Sequence, residues 1–422
     1  MRIFSLIALF LSLIITSASS AILLSNQTTS LFAKNKLNDY KCRNYTNPTN
    51  KEFPILGWIT FCDEKQITHE NFKTLHDAGF NISLGSAANQ DITLKTIKAA
   101  EGTGVKILIN CPETRRIPSI RETVTLFRNN SNIIGYYVWD EPTAKAFDKW
   151  SEVCREILKY DSIHIPFVNL LPIAPPAQLG IDNYFDYLAD FIKKSDSNVF
   201  SYDNYAIINQ NGKTVVFESY YQNLEIAANV AKIYNIPFWA FCLSAPHNNY
   251  PDPTIEYLTF EAFTALAYGA QGLSYFTYSI PPETSVKFRS APIDKENNKT
   301  NLWYLVQQNN YQIQSLSNVF LGAKLIDVWH TGEKIPKGTK RLEAPPYPFK
   351  HISSEEKGVL ISLLENNGNR YLVIVNHDIL NPQKVSFSAS SKITRIRYNN
   401  QRRVPSDYSF SLTPGGYAIF TW

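Results

Sequence analysis

The sequence predicts an α/β chain in which a (β/α)8 TIM barrel is followed by a small all-β sandwich. Three observations carry this reading. Eight short apolar runs alternate with helical stretches over about 270 residues, the usual size of such a barrel. Nothing resembling GxGxxG follows the first run, which argues against a doubly wound nucleotide-binding sheet. Beyond about Leu325 the apolar period falls from helical spacing to two, with turn residues between the runs.

Residues 1–21 come first. Arg2 is followed by an apolar run, Ile3 to Ile15, and then by the small residues Thr16 to Ala21, the pattern of a cleavable export signal. The run is too short and wrongly flanked for a membrane anchor, and no cysteine stands at the cleavage region to take a lipid. The mature chain is therefore expected to begin near Ile22 and to be secreted or periplasmic. Residues 22–50, rich in Asn, Lys and Thr, read as an irregular arm.

The barrel is expected over residues 51–325. Its strands are predicted at Pro54–Phe61, Asn81–Leu84, Val105–Asn110, Ile133–Trp139, Ile165–Leu170, Asn198–Tyr202, Phe238–Leu243 and Gly272–Tyr278. Helices are predicted at His69–Ala78, Leu94–Glu101, Ala144–Tyr160, Tyr184–Lys194, Gln222–Tyr234, Ile255–Tyr268 and Leu302–Val319. Alternation of this kind means parallel strands joined by crossover helices. Residues 326–422 then supply short antiparallel strands near Val359–Leu364, Tyr371–Val375, Lys384–Phe387, Thr394–Tyr398 and Tyr417–Trp422. This module is expected to pack against the barrel, with carbohydrate binding as its alternative role.

Composition removes several classes of function. A net charge of +4 over 422 residues, without a basic block, implies neither nucleic acid nor an anionic membrane as a partner. Five cysteines are too few and scattered for a disulfide framework, although one bridge from Cys42 to a barrel cysteine is conceivable. No CxxC or HxxxH spacing points to a metal, and no cofactor motif is present. Cys62, Cys111 and Cys242 fall near strand ends, so a catalytic thiol stays open beside the commoner reading of small buried residues.

The segment Gly135-Tyr136-Tyr137-Val138-Trp139-Asp140-Glu141-Pro142 carries the chemistry. An apolar strand ends there in two carboxylates, and Pro142 stops the pairing, so Glu141 should stand at a strand tip. In a parallel barrel the strand tips at the C-terminal face are where active sites are built. The alternative is that both acids merely cap the next helix. Asp203, within Phe200-Ser201-Tyr202-Asp203-Asn204-Tyr205, has the same strand-tip setting at strand six, with an Asx turn as its alternative. Trp58, Trp139, Trp239, Tyr202, Tyr205 and Tyr278 lie at or near strand ends, where they could stack on sugar rings or fill the core. His247 is placed to bond hydroxyls or to remain a loop residue. Glu113, Arg115 and Arg116 follow strand three and read as rim or solvated loop.

GYYVWDEP at strand four and EAFTALAYGAQGLSYFTY at helix seven and strand eight, in an export-type chain with a β-sandwich tail, resemble the large superfamily of barrel glycoside hydrolases. The resemblance covers the barrel and the tail. It implies an acid/base glutamate at the end of strand four, which maps onto Glu141, with Asp140 standing where that superfamily usually has an asparagine on the sugar. It also implies a nucleophilic glutamate at the end of strand seven. Here that segment, Phe238 to His247, holds no carboxylate. Glycoside hydrolysis normally needs two carboxyl groups, so Asp203 becomes the candidate partner of Glu141, about 5 Å away for a retaining enzyme or about 6.5 to 9.5 Å for an inverting one. Tyr202-Asp203 is also similar to the strand-six Tyr-Asp of chitinase-like barrels, whose DxxDxDxE motif is absent here. Asp140 would raise the pKa of Glu141 if both faced one pocket, yet neighbours on a strand point to opposite faces. The expected function is an exported glycosidase acting on an oligo- or polysaccharide. The alternatives are a carbohydrate-binding barrel that has lost hydrolysis, and a different polysaccharide hydrolase or lyase.

Overall fold

The structure of the protein is a computed structural model that describes residues 42–281, 286–405 and 407–422. The expected signal segment and most of the arm lie outside these residues. Eight parallel strands close into a barrel in sequence order: Ile55–Trp58, Ile82–Leu84, Lys106–Ile109, Ile133–Asp140, Ile165–Leu170, Phe200–Tyr202, Phe238–Leu243 and Gly272–Phe276, which pairs back onto the first. Helices His69–Asp77, Gln90–Ala100, Ile117–Phe127, Phe147–Tyr160, Tyr184–Ser195, Tyr220–Tyr234, Ile255–Ala267 and Asn301–Ser315 form the outer ring. Ile117–Phe127 was not expected from the sequence. Its Pro118 sits in the first helical turn, where the missing N–H would have no partner anyway.

The strands are buried on both faces and alternate with period two between two apolar layers. On the seventh strand, Phe238, Ala240 and Cys242 pack toward the helices, while Trp239 and Phe241 fill the barrel interior with Leu56, Trp58, Ile82 and Phe167. Room for the Trp239 indole comes from Gly272 on the neighbouring strand, where a Cβ would lie 2.3 Å from the ring.

Between the sixth strand and its helix the chain inserts a hairpin, Ile207–Gln210 with Lys213–Val216, turning on Asn211 and Gly212 at positive φ. Asn-Gly between strands is a direct hairpin signal that the strand–helix reading passed over. The hairpin ties to the loop after strand seven through Asn209 N, which donates to Asn249 O at 2.8 Å.

The C-terminal module stacks a six-stranded sheet on a three-stranded one around Val359, Ile361, Leu372, Val385 and Phe420. Four of its strands, Lys324–His330, Phe349–Ser354, Arg402–Arg403 and Ser409–Leu412, were not expected, and the first of them straddles the anticipated boundary after residue 325. The module covers the helix Ile255–Ala267: Tyr417 stacks on Phe263, and Ser362 Oγ donates to Ala267 O at 2.6 Å. That explains why Leu258 to Ala267 are all buried.

Glu261 lies within this buried run. Its carboxylate accepts from Ala206 N at 2.8 Å and Leu243 N at 2.7 Å, tying the ends of strands six and seven to one helix. Burial pushes its pKa up to about 7 against the pull of those two donors. Glu261→Gln keeps the shape but turns an NH2 toward a backbone N–H, and it should lower the unfolding free energy by about 2 to 3 kcal/mol in denaturant titrations. An unchanged unfolding midpoint would remove the clamp.

All five cysteines are unpaired, so the anticipated bridge from Cys42 is not formed. Burial pushes the Cys62 thiol up to about 11 and Cys111 up to about 12, and holds Cys242 well above its usual value. None is set up as a thiolate nucleophile.

Candidate active site

At the C-terminal mouth of the barrel the fourth strand ends in a turn that its sequence did not reveal. The Glu141 N–H continues the ladder, donating to Asn169 O at 2.8 Å, but Glu141 itself takes a left-handed conformation with φ of 48°. A register shift between Tyr137 and Trp139 precedes it. Together they break the strict alternation of faces, and Asp140 and Glu141 both act on the same third acid, Asp203 at the tip of strand six. A non-glycine residue held there costs about 1 to 2 kcal/mol, a cost that recurs at functional sites.

Asn169, on the fifth strand between these two, organises the cluster. Its amide nitrogen donates to Asp140 Oδ1 at 3.0 Å and to Asp203 Oδ1 at 2.9 Å, and its own Oδ1 accepts from Ser201 Oγ at 3.0 Å. Both amide hydrogens are spent on carboxylates, and the Ser201 bond fixes which way the amide faces. The sequence signal was a lone asparagine in the apolar run Ile165-Pro166-Phe167-Val168-Asn169-Leu170, which needs a buried partner.

Glu141 and Asp203 act on one another strongly enough to titrate together, and Tyr205 favours the charged form of Asp203. Burial, then repulsion by Asp203 and Asp140, hold the Glu141 pKa well above the usual carboxylate range. Solvent reaches the Glu141 side chain, so desolvation counts for less than it would at an occluded acid, and the like-charge repulsion carries more of the shift. Burial raises Asp140 to about 7 with Asp203 adding to it, while Asp203 rises to about 6 because its hydrogen bonds from Asn169, Glu141 and Tyr205 oppose burial. The cluster therefore titrates as a unit in which Glu141 holds its proton longest.

Asn169→Ala should move the acid limb of activity upward by about one pH unit, since its amide stabilises the charged forms of Asp140 and Asp203. A pH profile of kcat/KM reads this. An acid limb that stays in place would reduce Asn169 to a packing residue.

Around the acids, Tyr205 makes edge contacts with His247 and with Tyr250 at 5.4 Å, and lies 5.9 Å from Phe276. His247 is buried in this wall; its Nδ1 lies 2.9 Å from Ala245 O, a bond that requires the proton on that nitrogen, and burial lowers its pKa. Only Nε2 is left to face a ligand. Trp58 lies below, edge-on to Tyr137 at 5.5 Å and Phe241 at 5.2 Å, as floor rather than as an open stacking platform. Four expected sugar-stacking residues lie elsewhere. Trp139 is turned out by the register shift and stacks on Trp150 at 4.0 Å; Trp239 is sealed in the barrel interior; Tyr202 and Tyr278 pack in the layer between strands and helices, against Phe238 and Phe80. Strand seven ends in Leu243 and Ser244, whose Oγ donates to Thr277 O at 3.0 Å, and brings no carboxylate to the mouth.

No family model matches this sequence, and no curated protein matches it. Solved structures do. A catalytic mutant of Gan42B, a GH42 β-galactosidase from G. stearothermophilus, superposes with a TM-score of 0.61 at 8% identity, covering 91% of this chain and 100% of that one. A β-galactosidase from Bacillus circulans sp. alkalophilus gives 0.59 at 9% identity over 88% and 99%. A glycoside hydrolase family 5 protein from Bacteroides vulgatus gives 0.56 at 12% identity over 87% and 88%. The fold is that of the barrel glycosidases. Identities this low establish the shared architecture, a closed parallel barrel with a β-sandwich behind it, and the chain is assigned to no named family.

Proposed function

We propose that this protein is an exported glycoside hydrolase that cleaves an oligo- or polysaccharide by carboxylate acid/base catalysis. The observation that carries the proposal is the cluster of Glu141, Asp203 and Asp140 at the barrel mouth, with Asn169 holding Asp203 and Asp140 together. Glu141, whose proton is held by its acidic neighbours, is the general acid for the leaving glycosidic oxygen. Asp203, steadied in its charged form by Asn169 and Tyr205, is the partner that acts as nucleophile or as base for water.

Activity should rise with pH as Asp203 ionises near 6 and fall again as Glu141 loses its proton above the usual carboxylate range. Export is supported by the apolar and small-residue pattern of residues 1–21, and the mass of the chain recovered outside the cytoplasm tests it. The decisive experiment is a screen of the purified protein against a glycan panel with product analysis. Release of a reducing end from at least one glycan supports the proposal.

A second reading has its own support. With no acid on strand seven, the mouth also suits a barrel that binds sugar without cutting it. Retention of a glycan with no product would favour it.

A further inference from the structure

Arg115, in the loop after strand three, reaches over the barrel mouth. Its guanidinium lies 5.0 Å from the centre of the Tyr137 ring, and that ring belongs to the interior layer beside Trp58. Tyr137 feels Asp140, Glu141 and Arg115 alike, so the cation and the acids share one neighbour. No ion pair joins Arg115 to an acid among the described residues. The carboxylate nearest in sequence, Glu113, accepts a hydrogen bond from the Cys111 thiol at 2.9 Å and acts on Arg115 only at longer range.

A guanidinium has five N–H donors. One of Arg115's is satisfied by Asn110 Oδ1, while Nε is buried with no partner. Burial lowers its pKa, so the charge is held at a cost that nothing in the chain offsets fully. Arg289 on the far rim shows the contrast: it spends its donors on Asp252 Oδ1, Asn248 O and Tyr250 O, as a structural arginine does.

We propose that Arg115 is the specificity residue of this mouth and that the sugar bound beside the carboxyl cluster is acidic, carrying a carboxylate or a sulfate ester. The inference rests on the mouth being a carbohydrate site and adds the class of sugar. Two oxygens of a carboxylate or a sulfate ester fit the guanidinium donors that Asn110 leaves unused in two parallel hydrogen bonds and offset its charge. Neutral hydroxyls would meet the donors but leave the charge uncompensated.

The test is a ligand-observed NMR titration of the full chain with D-glucuronate, D-galacturonate and D-galactose 6-sulfate, each beside its neutral parent sugar. Wild type should bind at least one acidic sugar about tenfold to a hundredfold more tightly than the parent. Arg115→Gln should erase that preference, so that the acidic sugar binds no more tightly than its parent; Arg115→Lys, which keeps the charge without the fork, should restore it in part. Thermal unfolding of both variants checks the fold. The carboxylate and sulfate arms identify which anion is read. Equal binding of acidic and neutral sugars, or a preference that survives Arg115→Gln, overturns the inference and leaves the carbohydrate site standing. Failure of all the sugars to bind removes the site itself, and this inference with it.

Discussion

Glu141→Gln should lose at least about a hundredfold in turnover with sugar binding retained if the proposed function holds, because the variant keeps the shape of the protonated acid and cannot give up a proton. The substitution is mild for the fold. A glutamine matches the shape and neutrality of the protonated acid, and the backbone bond from residue 141 to Asn169 O is untouched. The melting temperature should therefore stay near wild type, so lost activity can be read as lost chemistry. The alkaline limb of the pH profile should disappear with the group that titrates there. If the variant turns over the enzyme's best substrate at a near-normal rate, Glu141 is not the acid, and its carboxyl returns to the role of a turn residue ahead of the next helix.

Asp203→Asn should cost at least about a hundredfold as well, since glycoside hydrolysis needs a second carboxyl as nucleophile or base and strand seven supplies none. It carries a second readout that a general loss of packing would not move. Asp203 raises the Glu141 pKa both by repulsion and by accepting its hydrogen bond. A neutral asparagine relieves both effects, so Glu141 in the variant should lose its proton at lower pH, and the alkaline limb of any residual activity should shift toward acid. Stability should hold or rise, because one of three crowded acids has been neutralised. Full activity in Asp203→Asn would end the pairing, and a lost activity with an unmoved alkaline limb would show that the two carboxyls are not coupled as the structure has them.

Much of the architecture was legible in the chain. Strands five and seven, Ile165–Leu170 and Phe238–Leu243, run over the residues their apolar stretches predict, because a strand buried on both faces is written as an unbroken run. The same property hid the direction of each side chain. With no polar alternation along Phe238–Leu243, nothing local says whether Trp239 or Phe238 enters the barrel. The Asp-Glu-Pro strand end marked Glu141 as a strand tip, and the aromatic setting of Asp203 marked a second. Whether adjacent acids converge was beyond sequence periodicity, which predicts that they diverge. Their convergence depends on the left-handed turn at Glu141 and the register shift before it.

The chain by itself determined the strand–helix order, the β-sandwich that follows and the two carboxylates at strand tips, since each is written in local spacing. Only the tertiary structure decided that Asn169, from a third strand, bridges Asp140 and Asp203, and that Arg115 stands over Tyr137 without an acid of its own. Barrel closure sets those neighbours, and it brings together side chains whose separation along the sequence carries no record of their contact.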